Sequence, residues 1–275
     1  MTDSDDLHRL DKAIALTPVT EGDPSVLRGE TTPEYWNMVG PFGGSTAATL
    51  LRAVLMQPDV HGEPVSLTVN YAGPLGEGQF EISVKAARTN RSNQHWTITQ
   101  TQGDQIMTTA SAVTALRKDT WTDVEAEPPK AAAPEEIDSA EPFPGINWVG
   151  SYDQRFVEGA IPNESSGEQD TSRSTMWVRD NPPRPADFYS VAAKSDTLYP
   201  RVFLRKGTYL PAGTVTITIH FLADAAELDS LGDDFVLATG YARRFGRSYY
   251  DQTSEIWSRD GTLLATAHQM VYFKI

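Results

Sequence analysis

The chain has 275 residues, 39% of them hydrophobic and 22% charged, which places it among globular proteins rather than disordered or fibrous ones. Its formal net charge is −14 and its basic residues are scattered, so a nucleic-acid partner is not expected. The sequence contains no cysteine, which excludes disulfides, thiolate nucleophiles and thiolate metal sites.

The sequence has no pattern typical of membrane insertion or export. Its longest apolar helical stretch, around residues 49–56, is interrupted by Arg52 and is far shorter than the ~20 residues that span a bilayer. The N-terminal segment MTDSDDLHRLDK is acidic where a signal peptide is basic and then apolar. We therefore expect a cytoplasmic protein without a membrane span.

One helix followed by four strands is predicted for the first half of the chain. Gly43, Gly44 and Ser45 lead into the helix-forming run ATLLRAVLM, whose leucine and valine residues form one broad apolar face. Segments rich in Val, Ile, Thr and Tyr then alternate with turn signals, as antiparallel strands do. These predicted strands cover residues 65–71, 79–89, 94–102 and 105–115.

The second half repeats this order after a segment of different composition. Residues 119–150 are rich in Pro, Ala and acidic side chains without helical or strand periodicity, which indicates a linker. A helix is then predicted from near Ala186 towards Pro200. The predicted strands that follow cover residues 214–222, 235–244, 248–258 and 262–273.

The two halves also match at residue level, which indicates an internal duplication. SLTVNYAGPL, beginning at Ser66, parallels TITIHFLADA, beginning at Thr216. The segment from Ala87 to Val113 likewise parallels the segment from Ala242 to Val271. The first begins with A-R-x-x-R-S and the second with A-R-x-x-x-R-S, which is one residue longer.

Helix and sheet in this order, twice in one chain, resemble the double-hotdog acyl-CoA thioesterases of the type II bacterial and peroxisomal kind. The resemblance is carried by GPFGGSTAATLLRA, SLTVNYAGP, TVTITIHFL and DGTLLATAHQ. It implies an α+β fold of two tandem repeats, each with a curved antiparallel sheet wrapped around one long helix. The expected units are residues 1–118 and 151–275, joined by the linker at 119–150.

The resemblance also implies a catalytic trio of Asp, Thr and Gln, and acyl-CoA as the substrate. Carried over to this sequence, the trio falls on Asp196, Thr214 and Gln269. Thr216 is the alternative hydroxyl, since alternate residues of a regular strand share a face. His220 belongs to the same row and is a candidate for lining the site.

These residue types suit thioester hydrolysis, which needs an aimed water, a proton acceptor and donors for the oxyanion. Asp196 would accept the proton or anchor the site electrostatically, while Thr214 and Gln269 hold the water. The free N–H groups at the helix start, near Gly43, Gly44 and Ser45, are candidate oxyanion donors. The five histidines are dispersed, so neither a metal nor another cofactor is expected.

Two alternatives remain open at this point. One is a non-catalytic double hotdog that binds acyl groups or serves as a scaffold, and the other is a hotdog enoyl-CoA hydratase, although its D-x-N-x-x-H stretch is missing. The repeat alignment places Ala112 opposite Gln269 and Pro64 opposite Thr214, which predicts one catalytic trio per chain. The sequence leaves further association into a homo-oligomer open.

Overall fold

A computed structural model describes residues 7–141, 143, 145–163 and 165–275. The first half contains strands β1 (Thr17–Thr20), β2 (Ser25–Glu30), β3 (Glu63–Tyr71), β4 (Gln79–Thr89), β5 (Asn93–Gln102) and β6 (Gln105–Ala115). The second half contains β7 (Tyr152–Glu158), β8 (Ser174–Asp180), β9 (Ala212–Phe221), β10 (Val236–Tyr241), β11 (Phe245–Gly246), β12 (Tyr249–Trp257) and β13 (Leu263–Phe273). The helices are α1 (Arg9–Ala13), α2 (Gly43–Leu55), α3 (Phe188–Lys194), α4 (Arg201–Lys206) and α5 (Ala225–Ser230).

The strands form one antiparallel sheet in the order β1-β2-β4-β5-β6-β3-β9-β13-β12-β10-β8-β7, with β11 paired to β12 at its side. The order is symmetric about the contact between β3 and β9. Thr68 and Thr218 pair at this centre, and their hydroxyl oxygens lie 3.0 Å apart. Ser66 pairs with His220 and Asn70 with Thr216, so β3 and β9 occupy equivalent places in the two halves.

The strand registers agree with the repeat alignment made from the sequence. Val65 is the unpaired residue of a β-bulge between β3 and β6, and Val215 is the unpaired residue of a β-bulge between β9 and β13. Such a bulge leaves one residue unpaired and bends its strand. Because both halves contain it at the aligned position, Pro64 and Thr214 are structurally equivalent.

Helix α2 lies in the main core, where its alanine, leucine and valine side chains are almost completely buried. Its first turn packs closely against α3. A Cβ atom added to Gly44 would lie 2.4 Å from the carbonyl oxygen of Ala193, so only glycine allows this approach. The predicted helix start is therefore confirmed, and its glycine sets the distance between the two central helices.

The prediction of a second long helix was wrong. Helix α3 begins with a capping box between Asp187 and Ser190 and ends at Lys194 after seven residues, not near Pro200. Thr197 then folds back, donating from its backbone N–H and its hydroxyl to the carbonyl oxygen of Lys194. Pro200 disfavours helix in the residue before it and caps a separate helix, α4. Asp196 consequently lies in the turn just after α3.

The outer strands β1, β2, β7 and β8 were not expected from any pattern in the sequence. Residues 119–150 contain neither a strand nor an α-helix in their described part, and residues 116–128 are exposed. The end of this segment is different, because Trp148 and Val149 are buried in the core. Among the described helices, none combines the length and the apolar character needed to cross a bilayer.

Candidate active site

A cavity of about 460 Å³ lies where the two halves meet. Its first-half wall comes from the loop before α2, the start of α2 and the segment after β3. Its second-half wall comes from the turn after α3 and from inward-facing residues of β9, β12 and β13. Asp196, Thr214 and Gln269 all line this cavity, as does Trp148 from the segment between the halves.

The three predicted catalytic side chains form one hydrogen-bonded chain. The Thr214 hydroxyl donates to Oε1 of Gln269 over 3.1 Å, and Nε2 of Gln269 donates to Oδ1 of Asp196 over 2.9 Å. Gln269 is buried, while Asp196 and Thr214 keep partial exposure. The structure thus brings together residues that are 18 to 73 positions apart in sequence, and both hydrogen bonds run in the direction of the Asp196 carboxylate, which accepts the last one.

The bulge at Val215 decides which threonine faces the cavity. Beyond the bulge Thr214 pairs with Val271, a buried residue, whereas Thr216 pairs with the exposed Met270. Thr214 therefore points to the same side of the sheet as Gln269, and Thr216 points to the other side. The prediction that the two threonines share a face was wrong, because it assumed a regular strand.

Burial makes Asp196 an unusually weak acid. Desolvation raises the pKa of its carboxyl from 3.8 to about 7, although hydrogen bonds from Gln269 and from the Gly44 backbone oppose the rise. The side chain keeps partial exposure and lines the cavity. The carboxyl therefore exchanges its proton near neutral pH, where a general base is most effective.

The start of α2 is held against this carboxyl. A Cβ atom added to Gly43 would lie 2.7 Å from Oδ2 of Asp196 and 3.3 Å from the Tyr71 hydroxyl, so glycine is required here too. The Tyr71 hydroxyl donates to the Gly43 carbonyl oxygen over 2.7 Å. The Gly44 backbone N–H, which was predicted as an oxyanion donor, opposes the rise in the pKa of Asp196, and the positive end of the helix dipole acts in the same direction.

Two further predicted substrate-binding residues lie elsewhere. Ser45 is buried beside the cavity wall, and its hydroxyl donates to the Phe42 carbonyl oxygen over 2.7 Å, so it stabilises the helix start. His220 is exposed on the same outer face as Thr216, because both lie on the side of β9 opposite the buried Ile217. Neither Ser45 nor His220 lines the cavity. Among the described residues, no cluster of three or more His, Asp or Glu could hold a metal ion.

Sequence reasoning missed most of the cavity wall, including four large or polar side chains close to the trio. Trp148 stacks on Phe42 at 4.2 Å between ring centroids, with the ring planes 9° apart. Tyr71 holds the start of α2, while Tyr250 and Gln252 extend the wall along β12. Strand pairing places Tyr71, Tyr250 and Gln252, and the packing of the segment between the halves places Trp148, so no local pattern could have indicated these residues.

Family comparisons agree with this site. Residues 32–115 match the model of the acyl-CoA thioesterase N-terminal domain, and residues 124–273 match that of the acyl-CoA thioesterase C-terminal domain. The chain belongs to the acyl-CoA thioesterase family. No curated protein matches it.

Solved structures of other proteins that are similar to this chain have the hotdog fold. A conserved protein of unknown function with a hotdog fold from Alicyclobacillus acidocaldarius is 39% identical, with a TM-score of 0.92, covering 98% of this chain and 99% of that one. A putative thioesterase II from Thermobifida fusca is 18% identical, with a TM-score of 0.81 and coverage of 98% and 99%. The tesB protein of Mycobacterium avium subs paratuberculosis is 19% identical, with a TM-score of 0.77 and coverage of 97% and 98%. The last two likenesses concern the fold alone.

Proposed function

We propose that this protein hydrolyses the thioester of an acyl-CoA to a free acid and CoA in the cavity between its halves. The observation that carries the proposal is the hydrogen-bonded chain from Thr214 through Gln269 to Asp196 at the cavity wall. Family membership supports the reaction class. A CoA thioester substrate is consistent with a place in the cytoplasm and in fatty acid metabolism.

The direction of the hydrogen bonds suggests how a water is held. Because the Thr214 hydroxyl gives its hydrogen to Gln269, its oxygen is left to accept a hydrogen bond from a water in the cavity. A carboxylate oxygen of Asp196 accepts the second hydrogen of that water. The water oxygen is then free to attack the carbonyl carbon of the thioester.

The proposed hydrolysis needs a base but no strong acid. A new C–O bond forms to the water oxygen, the proton passes to Asp196, and the C–S bond breaks with its electron pair on sulfur. Thiols have a pKa of about 8.5, so the CoA thiolate leaves readily without a strong acid. With its pKa at about 7, Asp196 is ionised in about half of the molecules at neutral pH and can act as the base.

Mutating Thr214 and Thr216 of β9 tests the proposal with a matched control. Removing the hydroxyl in Thr214→Val should lower thiol release from acyl-CoA by about 10-fold to 100-fold, because the attacking water loses one of its two partners. Thr216→Val makes the same change on the outer face and should keep wild-type turnover. Equal effects of the two substitutions, or no thiol release by the wild type, would contradict the proposed site or reaction.

We further propose that the chain is a double hotdog in which only the second unit carries the catalytic trio. The units correspond to residues 1–118 and 151–275, with 119–150 as the connector. At the equivalent places of the first half, Ala112 replaces Gln269 and Pro64 replaces Thr214, and neither side chain can donate a hydrogen bond. The first unit contributes α2 and Tyr71 to the cavity wall instead.

A further inference from the structure

Tyr71 is a residue of the first half that lies beside the proposed base without belonging to the trio. It is the last residue of β3 and lines the cavity, and its hydroxyl donates to the Gly43 carbonyl oxygen over 2.7 Å. A Cβ atom built on Gly43 would lie 3.3 Å from this hydroxyl and 2.7 Å from Oδ2 of Asp196. The tyrosine and the carboxyl therefore flank the residue at which α2 begins.

One peptide group lies between the two side chains. The carbonyl oxygen of Gly43 and the N–H of Gly44 belong to the same planar amide, so a contact that holds one end also fixes the direction of the other. The carbonyl end accepts from Tyr71, and the N–H end favours the ionised form of Asp196. Hydrogen bonds in such a chain polarise one another, so the tyrosine both orients the N–H and makes it a stronger donor.

The Tyr71 hydroxyl remains a hydrogen-bond donor around neutral pH. Burial and, after it, the charge of Asp196 raise the pKa of Tyr71 well above its ordinary value. The Gly43 carbonyl oxygen can only accept, so the phenol supplies the hydrogen of this bond. Because Tyr71 is uncharged, it influences the carboxyl through the peptide and not as the partner of an ion pair.

The other titratable side chains that interact with the Asp196 charge are also neutral around pH ~7. They are tyrosines whose pKa is raised by burial, Tyr152 of β7 and Tyr250 of β12. Lys194, the last residue of α3, pairs with the buried Asp180 of β8. On the sides of α2 and β13, the carboxyl meets a backbone N–H and the Gln269 amide, and neither of these groups titrates. A shift in the titration of Asp196 on changing Tyr71 therefore reports on the peptide between them.

The second half shows that the fold does not need this hydroxyl. Phe221 is at the place equivalent to Tyr71, since Tyr71 pairs with Thr108 of β6 and Phe221 pairs with Ala265 of β13. Its ring packs edge to face on Phe188, the first residue of α3, with 5.8 Å between the ring centroids. Each of the two central strands thus contacts the start of one helix through an aromatic residue. The hydroxyl is present where that helix start lies beside the proposed base.

We propose that Tyr71 is a positioning residue that holds the Gly43–Gly44 peptide in the direction that stabilises the ionised Asp196 carboxyl, an inference that rests on the proposed role of Asp196 as the base. Tyr71 acts through the peptide and takes no proton itself. The first half, in which Ala112 and Pro64 replace two members of the trio, thereby sets the pH range in which the second half works.

Tyr71→Phe tests the proposal, because it removes the hydroxyl and keeps the ring, as Phe221 does. Thiol release by the full-length protein is measured against pH with butanoyl-, hexanoyl- or octanoyl-CoA, whichever the wild type hydrolyses fastest. The inflection of kcat/KM should move to higher pH by about 0.5–1 unit, the effect of one net hydrogen bond. At pH ~6 this lowers kcat/KM by about threefold to tenfold, and well above the inflection the wild-type value should return. A purely structural defect would instead lower kcat/KM by the same factor at every pH.

A second measurement does not depend on hydrolysis. NMR of protein with a labelled carboxyl carbon in its aspartates follows the titration of Asp196, whose signal is the one missing from Asp196→Asn. The titration midpoint should rise in Tyr71→Phe together with the kinetic inflection. Tyr209→Phe is the matched control, because the Tyr209 hydroxyl also donates to a backbone carbonyl oxygen, that of Pro162 over 2.8 Å, but lies outside the cavity wall. This variant should keep the wild-type midpoint.

Replacing Tyr71 by fluorotyrosine, with the fluorine beside the hydroxyl, tests the opposite direction. Fluorine makes the hydroxyl a stronger hydrogen-bond donor, so the midpoint of Asp196 should move to lower pH, and this result is informative even if Tyr71→Phe does not fold. An unshifted midpoint in Tyr71→Phe, an equal shift in Tyr209→Phe, or no downward shift with fluorotyrosine would overturn the role of Tyr71. No thiol release by the wild type would overturn the proposed function, whereas the NMR midpoints would still decide whether Tyr71 controls the carboxyl.

Discussion

Asp196→Asn is the substitution that tests the proposed base most directly, because it removes the charge and keeps the shape. The hydrogen-bonded chain can adapt to it. Gln269 donates to Asp196 and accepts from Thr214 in the wild type, and turning its amide over would let it accept from the substituted asparagine and donate to the Thr214 oxygen. The fold should therefore be kept, while hydrolysis falls by about 10²–10⁴-fold, as expected for a positioned acid–base group.

The same substitution should stabilise the protein in a pH-dependent way. Burial raises the pKa of Asp196 from 3.8 to about 7, so the folded state holds a proton that the unfolded chain releases. The stability of the wild type is then full below pH ~4 and decreases as the pH rises through about 7. If the whole pKa difference acted on stability, it would change the free energy of unfolding by about 4 kcal/mol, and contact with cavity water reduces this value. We therefore expect Asp196→Asn to raise the free energy of unfolding by about 1–3 kcal/mol at pH ~8.

Urea unfolding at pH ~4.5 and ~8 measures this gain, and Asp251→Asn provides a control of opposite sign. Although partial burial raises the pKa of Asp251, backbone N–H groups of Arg244 and Arg243 hold it below its usual value. Its contribution to stability is present above the unfolded pKa and lost as the pH falls, so Asp251→Asn should weaken the fold at neutral pH. If Asp196→Asn hydrolyses acyl-CoA at the wild-type rate, or gains no stability at pH ~8, the reasoning about this carboxyl is refuted.

Three further predictions concern the pH profile, the number of sites and the connector. The kcat/KM of the wild type should rise with pH and level off above about 7, because only ionised Asp196 accepts a proton, and a flat profile from pH ~5 to ~8 would exclude it as the base. Gln269→Ala should abolish turnover of acyl-CoA, whereas retention of about half the activity would reveal a second site. Limited proteolysis should cut first within the exposed residues 116–128 and leave two associated fragments, and mass spectrometry of the fragments would show whether the first cut lies elsewhere.

Local patterns predicted the central strands because each has several β-branched or aromatic residues between clear turn signals. The predicted bounds of β4 and β6 agree with the structure, and α2 forms where its glycines and helix formers indicated. The break after Lys194 was missed because Ala192, Ala193 and Lys194 have good helix propensity, and the turn is decided by Thr197 and Pro200 further along. A local hydrogen-bonded turn and a following proline therefore overrode helix propensity at the residues that place Asp196.

The candidate site was predicted through resemblance rather than through periodicity. The resemblance pointed to Asp196, Thr214 and Gln269 as a catalytic trio, and these three residues lie in one hydrogen-bonded chain. The wrong placement of Thr216 has a physical cause. An inserted bulge residue moves the side chains of the residues before it to the opposite face of the sheet. A bulge is defined by pairing with a distant strand, so its position in the sequence could not be known until the register was known.

The bulge at Val215 therefore links the fold to the chemistry, and its counterpart at Val65 shows that chemistry alone does not explain it. Both bulges turn the preceding residue inward, and in the first half that residue is the buried Pro64, which cannot hold a water. Bulges bend and twist a strand, so a large sheet has its own structural need for them. In the second half the inward-facing position before the bulge is Thr214, whose hydroxyl lies beside Gln269 and Asp196. These three side chains distinguish the proposed water-binding site from the equivalent place in the first half.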